Sequence, residues 1–495
     1  MKTNESKTSE SKTNDTMADD STKNESAAHI KNFAGKRVHM VGIGGSSMSG
    51  LAELLMKRGY IVSGTDRDEG YMIDVLRRQG ASVTVGHNPD AVNGADLVVY
   101  TAAISPDNPE LVRARALNIP LLTRAELLGQ LMQGHEQAVG VCGAHGKTST
   151  SAMLAQALIG AGFDPTVHLG GRFDAIGGST RIGDERMFVA EACEFNASFL
   201  QLRPTIAVVL NIDADHLDFY RDIEHIQETF EKFASLIPPD GIVIGNGDDP
   251  RVKRLMDNAH CRVSSFGLKD TNDWHPEGLT LDERGRPRFK VIHNGQHVAD
   301  ASLTVYGEFS VYNALAALAA AVELGAEPER AAAALNAFQP VHRRFEITGT
   351  VDGVTLVHDY GHNPPEMRNA MRVAKMQLSD PKQHLWAVMQ PHTYSRLKGL
   401  FADYIHCCDD ANTILVTDIY AARESDPGDI HSTMLVDAMR RDGLDAVHTP
   451  TFDDTERYLR EHWHPGDLVL TMGCGNINLL NAQIQAHGSS TAKDA

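Results

Sequence analysis

From residue 37 onward, short β-branched runs alternate with stretches whose apolar positions recur at helical spacing. Residues 37–43 (RVHMVGI) form a continuous apolar run that predicts a buried strand, and 48–57 predict a helix. Further strands are expected at 61–66, 81–86 and 97–101, then a helix at 124–132 and a linker at 133–137. This βαβ rhythm implies a parallel sheet covered by helices. A second series opens with a strand at 138–142, a glycine-containing turn and a helix from Thr148. Strands at 187–192 and 205–212 follow, then a helix at 223–236. The Asn294-Gly295 dipeptide inside 291–298 predicts a hairpin at a sheet edge. An alanine-rich helix (313–324) leads to a boundary near Pro340. The third series places strands at 354–359, 385–390, 413–419 and 467–473, with helices between. No internal repeat links the three α/β series.

Composition narrows the class. At 495 residues the chain is too long for one core, and about two to four domains are expected. Its 46 Lys+Arg against 65 Asp+Glu leave a formal charge of −19, which argues against a duplex nucleic-acid partner. A few local cations and backbone N–H groups still suffice for a nucleotide. The 6 cysteines form no CxxC pair, the pattern of reduced thiols rather than of disulfides or zinc. Residues 1–34 are polar and low in complexity, so a disordered tail without a signal peptide is expected. The longest apolar stretch, 314–322, stops at Glu323, far short of a membrane span. A soluble, cytoplasmic protein without membrane insertion is the expectation.

Chemistry collects where strands end. Gly42-Ile43-Gly44-Gly45-Ser46-Ser47-Met48-Ser49-Gly50 follows one strand and opens a helix. Glycines there let a phosphate approach backbone N–H groups, and Asp66 at the end of the next strand suits a ribose hydroxyl. Ser47 replaces the third glycine of GxGxxG, so a plain tight turn competes with nucleotide binding. Gly143-Ala144-His145-Gly146-Lys147-Thr148-Ser149 again joins strand to helix. N–H groups, an ammonium and a hydroxyl are what ATP phosphates and Mg²⁺ require, although Val141 stands where a strict P-loop has its first glycine.

Glu191 and Glu194 follow one strand, and Asn211-Ile212-Asp213-Ala214-Asp215-His216 the next. Glu191 suits Mg²⁺, which prefers oxygen, whereas imidazole is soft for that ion. Glu194, Asp213 and Asp218 read as solvated loop acids. In the third series, Arg343-Arg344-Phe345-Glu346 could clamp a phosphate. Asp359-Tyr360-Gly361-His362-Asn363-Pro364 and Pro391-His392-Thr393-Tyr394-Ser395-Arg396 each end a strand, where guanidinium and imidazole suit an anion. Cys474 reads as a packing residue.

Taken in order, GIGGSSMSGLAE, AHGKTST, EACEFNASFLQL, NIDADHLDFY, RRFE, HDYGHNP and QPHTYSR closely resemble the Mur ligase family, over about residues 36–480. The resemblance implies an α/β fold of three domains after the 1–34 tail. These are a Rossmann-like UDP-sugar domain (35–135), a central P-loop ATPase-like domain (136–341) and a Rossmann-like C-terminal domain (342–495). It implies that Gly42, Gly44, Gly45, Ser46, Ser47, Met48, Ser49 and Asp66 hold UDP rather than NAD. Residues 143–149, Asn313, Arg344 and Asp359 would hold ATP, and Thr148, Glu191 and His216 the Mg²⁺ (or Mn²⁺). Tyr360, His362, His392, Tyr394 and Arg396 would face the substrate, and Lys147, His216 and Arg344 would be catalytic. The implied reaction activates the lactyl carboxylate of UDP-N-acetylmuramate as an acyl phosphate, which the amine of L-alanine then attacks. Such a ligase serves peptidoglycan synthesis. Family members usually have Thr at Ala144, Asn at Ser310 and a second His at Asn363. Rival readings are a recycling ligase that adds a peptide to the same UDP-sugar, a nicotinamide-dependent oxidoreductase, and a non-catalytic nucleotide-binding protein.

Overall fold

The computed structural model describes residues 28–101, 104–184, 186–216, 219–422 and 424–488. Most of the expected tail, and Asp218, lie outside the described residues. The chain divides into two compact units: residues up to 44 with 55–127, and 45–54 with 128 onward.

The first unit carries five parallel strands in the order Ser82–Val85, Ile61–Asp66, Arg37–Val41, Leu97–Tyr100, Leu121–Thr123. The chain enters at the central strand and then winds outward to both sides, so strand order reverses beside the strand that precedes the glycine loop. Four of the five residues of Arg37–Val41 are buried, as a strand covered on both faces requires. Beneath it lies a polar network that periodicity does not reveal. Glu110 is fully buried; it accepts from Thr65 Oγ1 (2.7 Å) and sits 2.9 Å from His39 Nε2 and from His87 Nδ1. A carboxylate without water needs such partners.

The second unit contains two sheets. The larger has ten strands. Its parallel centre runs Arg262–Phe266, Ile242–Asn246, Ile206–Val209, Gln137–Cys142, Met187–Glu191, Thr166–Phe173. One edge is closed by Gly178–Arg181; the other by the meander Trp274–Leu281, Pro287–His293, Gln296–Ser302. The expected hairpin is there: Asn294 and Gly295 both have positive φ (50° and 74°), as a tight turn between twisted strands demands. Against this sheet the helix Lys147–Gly160 packs on Glu308–Glu323 and on Pro328–Leu335. Small side chains permit the close approach: a Cβ on Gly160 would lie 2.3 Å from the Cβ of Ala334. The alanine-rich run is therefore a buried helix–helix seam, with Ala314, Ala316, Ala317, Ala320 and Ala321 inaccessible.

The third sheet runs Glu346–Val351, Val354–Asp359, Leu468–Met472, Leu385–Met389, Thr413–Val416, Ala446–His448; only the first strand is antiparallel. Apolar clusters cover both faces. The strands at Leu121–Thr123, Thr166–Phe173, Ile242–Asn246, Glu346–Val351 and Ala446–His448 were not anticipated, because short or glycine-containing runs carry little periodic signal.

His358 lies on the second strand of the third sheet and is buried, with Nδ1 3.0 Å from Thr471 Oγ1 while Nε2 accepts from Arg343 Nε at 3.1 Å. Burial, then the adjacent Arg343, pushes its pKa down to about 3. A histidine so depressed contributes stability that is complete above its ordinary value of about 6.5 and is lost as pH falls toward 3. The melting temperature is therefore expected to fall between pH 6.5 and 4, and a folded His358→Gln variant should show a shallower fall. Parallel curves would refute this assignment.

Candidate active site

The loop after Gln137–Cys142 turns sharply into the helix at Lys147. Gly146 has φ 84° and ψ −11°. A Cβ there would meet Asn313 Oδ1 at 2.8 Å, so both conformation and space require glycine. Asn313 accepts from Thr150 Oγ1 (3.1 Å), which fixes the amide against the loop. Asn211, at the end of the neighbouring strand, clamps the loop from the other side: Oδ1 accepts from the His145 N–H at 3.1 Å, and Nδ2 donates to its carbonyl at 3.1 Å. His145 Nε2 lies 2.9 Å from Asp213. Ala144 contributes only its backbone, its carbonyl accepting from Lys147 Nζ at 3.1 Å.

Lys147 decides the electrostatics of the loop. Its Nζ lies 3.0 and 2.9 Å from the two carboxylate oxygens of Glu194. Burial disfavours the ammonium, but Glu194 more than offsets it and holds the charge. Reciprocally, burial alone would raise Glu194, and Lys147 followed by His216 brings it below its ordinary value. Glu194 is 3% exposed, which corrects its reading as a solvated loop acid. The chain after it folds back in a 3₁₀ turn, with Asn196 and Ala197 at positive φ, and Tyr220 Oη donates to the Glu194 carbonyl. An E-x-x-E pair followed by Phe195 is the one trace of this in the sequence.

The residues expected around a metal fall into two groups. Thr148 Oγ1 donates to Glu191 at 3.0 Å, with Arg344 Nη2 at 3.5 Å from the same hydroxyl. His216 is grouped instead with Glu194 and Asp215, all three ligand atoms within 4.8 Å of one another. The first group is all oxygen and suits Mg²⁺; the second mixes imidazole with carboxylates and admits Mn²⁺ as well.

A cavity of about 580 Å³ opens beside the loop. His145, Asn211, Tyr312 and Asn313 line it, as do Arg372 and Met376 from the helix Pro364–Met376. Ser149, Ser310, Arg344 and Asp359 also border it. Ser310 satisfies itself by donating to the Gly307 carbonyl at 2.7 Å. Asp359 accepts from the N–H of Phe345 (2.8 Å) and of Gly361 (2.7 Å), pinning the 343–345 segment, where Arg343 and Phe345 both have positive φ. Burial raises Asp359, with Arg344 opposing. Tyr360 is flanked by Arg343 and Arg344, each 4.7 Å from its ring centre.

At the third sheet's strand ends, the His362 and His392 rings are 5.9 Å apart. Burial first, then Arg396, brings His362 down to about 3. Arg396 Nη1 donates to His392 Nδ1 at 2.9 Å, while Nε and Nη2 reach Asp215 Oδ1 at 3.2 and 3.0 Å. Tyr394 packs on the apolar core of this sheet. Asn363 caps the helix Pro364–Met376, accepting from the Glu366 N–H at 3.1 Å, so a helix start explains its identity.

In the first glycine loop, the N–H groups of Gly42 and Ile43 donate to the Thr65 carbonyl (2.8 and 3.0 Å), and that of Gly44 to Asp66 Oδ2 (2.8 Å). Asp66 thus spends one carboxylate oxygen on the loop itself. Met48 and Ser49 are buried, so Met48 packs and Ser49 Oγ donates back to Ser46. Ser47 Oγ pairs with His168 Nε2 at 2.8 Å, while Gly45 and Ser46 are exposed.

The Lys147–Glu194 pair predicts a two-part outcome. Lys147→Ala should cut turnover on the order of 100-fold or more. It should also destabilise the fold by about 3 kcal/mol or more, because a buried carboxylate is left unpaired. Adding Glu194→Gln should recover part of the melting temperature without recovering turnover. A single variant as stable as the parent would contradict the pairing.

Three family models match in sequence: "Mur ligase family, catalytic domain" over residues 37–136, "Mur ligase middle domain" over 141–321, and "Mur ligase, glutamate ligase domain" over 343–475. The chain is 43% identical over 442 residues to the UDP-N-acetylmuramate–L-alanine ligase of Caldanaerobacter subterraneus, covering 89% of this chain and 95% of that one. It is 44% identical over 442 residues, with the same coverage, to the ligase of that name from Clostridium novyi. The crystal structure of the UDP-N-acetylmuramate–alanine ligase from Thermotoga maritima matches with a TM-score of 0.78 at 27% identity, covering 91% of this chain and 99% of that one. With three consecutive family models spanning its sheets and relatives 43% and 44% identical over 89% of its length, the chain belongs to the Mur ligase family.

Proposed function

We propose that this protein is an ATP-dependent ligase that joins L-alanine to the lactyl carboxylate of UDP-N-acetylmuramate, forming ADP and phosphate in peptidoglycan precursor synthesis. The observation that carries the reading is the approach of Arg344, at the edge of the third sheet, to Thr148 of the phosphate loop. Phosphoryl transfer to a carboxylate brings two anions together. Lys147 and Arg344 supply fixed positive charge where the γ-phosphate negative charge spreads. The substrate carboxylate oxygen attacks phosphorus and ADP leaves; the amine then attacks the acyl carbon and phosphate departs. Bound Mg²⁺ would screen the phosphate oxygens, with Thr148 and Glu191 as its holders and Glu194 and His216 as the neighbouring group that could hold a second ion. Tyr312 and Met376 among the lining residues give the cavity the aromatic and apolar surface that suits a purine, and Asn313 and Asp359 border the same space. Gly42–Ser49, the glycine loop of the first matched segment, is assigned to the UDP moiety because the named relatives act on a UDP-sugar. His362, His392 and Arg396 are assigned to the amino acid, where the low basicity of His362 makes it a neutral hydrogen-bonding group. The site of action is assigned to the cytoplasm; among the described residues no helix is long and apolar enough to cross a membrane.

Phosphate release from ATP, with UDP-N-acetylmuramate and each of several amine acceptors, tests the proposal. Release stimulated by L-alanine well beyond a short peptide is expected. Stimulation by the peptide alone would make the protein a recycling ligase, and saturable NAD binding without release would overturn the ligase reading.

A further inference from the structure

We propose that Asp215 is a positioning residue for amine addition, acting through Arg396; this rests on the ligase reading above. The two side chains come from different sheets of the second unit. Asp215 follows the strand Ile206–Val209 of the ten-stranded sheet, and Arg396 lies just past Leu385–Met389 of the third. Both are nearly out of water, with side chains 10% and 5% exposed for Arg396 and Asp215. A buried ion pair is a poor source of net stability, since the desolvation of both charges offsets their attraction. Its effect is orientation.

The geometry shows what is oriented. One oxygen, Oδ1 of Asp215, accepts from Arg396 Nε (3.2 Å), from Arg396 Nη2 (3.0 Å) and from the backbone N–H of His216 (2.7 Å). A single carboxylate thus sets the plane of a guanidinium and the direction of the next residue, whose φ of 52° is unusual for histidine. His216 in turn points Nε2 at Glu194 (3.6 Å), the partner of Lys147. On the other side, Arg396 Nη1 donates to His392 Nδ1 at 2.9 Å. The guanidinium has five N–H groups. Nη2 also lies 3.5 Å from His216 Nδ1, so these contacts leave one N–H, on Nη1, to meet the carboxylate of an amino acid. Asp215 therefore stands between the phosphate end (Lys147, Glu194, His216) and the amino-acid end (Arg396, His392), in contact with a residue of each. Misplacing it should weaken capture of the acceptor far more than capture of ATP.

Asp215→Asn in the full chain is the first test, as the amide keeps a carbonyl acceptor and removes the charge. The expected result is a KM for L-alanine raised about 10-fold or more, with the KM for ATP and for UDP-N-acetylmuramate within about 3-fold. Combining it with Arg396→Lys should produce no further rise beyond the larger single effect, since both changes break the same contact. A folded Asp215→Asn enzyme with all three KM values within about 3-fold overturns the proposal. So does a uniform loss of kcat with an unchanged alanine KM, or strict additivity in the double variant. Should Asp215→Asn fail to fold, Asp215→Glu keeps the charge while displacing the carboxylate by one methylene, and an unchanged alanine KM there is equally fatal. A parent enzyme lacking alanine-stimulated phosphate release sinks the ligase reading instead, so the two failures are distinguishable.

Discussion

A buried ammonium has to be compensated by a fixed negative charge, and the centre of this protein is organised around that constraint. Lys147 reaches Glu194 and two loop carbonyls, which hold its charge in place. The cost of burying both groups is bearable only because each is the other's partner. It follows that the strand ending at Glu191, the back-folded turn after Glu194 and the helix starting at Lys147 must be placed together. The close helix seam behind them, with alanine and glycine at the contacts, provides that rigidity.

Around this pair the second unit places two sets of strand ends, and several of the contacts that join them are polar. Arg344 meets Thr148, Arg396 meets Asp215, and Asp359 holds the backbone of the 343–345 segment between them. Polar contacts of this kind tolerate rearrangement better than an apolar interface. That suits an enzyme that must admit three substrates and then exclude water from an acyl phosphate. Two non-glycine residues at positive φ, Arg343 and Phe345, mark the segment where backbone strain is held in place by the surrounding bonds.

Each of the three departures from the family pattern has a local structural role in this chain. Ala144 acts through its carbonyl. Ser310 donates within its own helical turn, and Asn313, one turn on, supplies the amide that braces the loop. Asn363 is the N-cap that its position calls for. None removes a charge from the site.

The alternation of apolar runs with helical patterns was enough to read three α/β series, the hairpin at Asn294-Gly295 and the placement of the chemical motifs at strand ends. These features are local: periodicity and turn chemistry act within a few residues. The loop that joins strand to helix at 143–149 was legible for the same reason, since its glycines, lysine and threonine lie side by side. Tertiary structure alone decided the burial of Glu194, the clamp of Asn211 on His145, the network around Glu110, and the grouping of His216 with Glu194 and Asp215 rather than with Glu191. The clearest case is Arg396 and Asp215, separated by 181 residues and joined by a hydrogen-bonded ion pair. No local pattern encodes such a pairing, because it depends on how two independently formed sheets aim their strand ends. An acidic residue in a loop looks the same in sequence whether it faces water or a buried guanidinium.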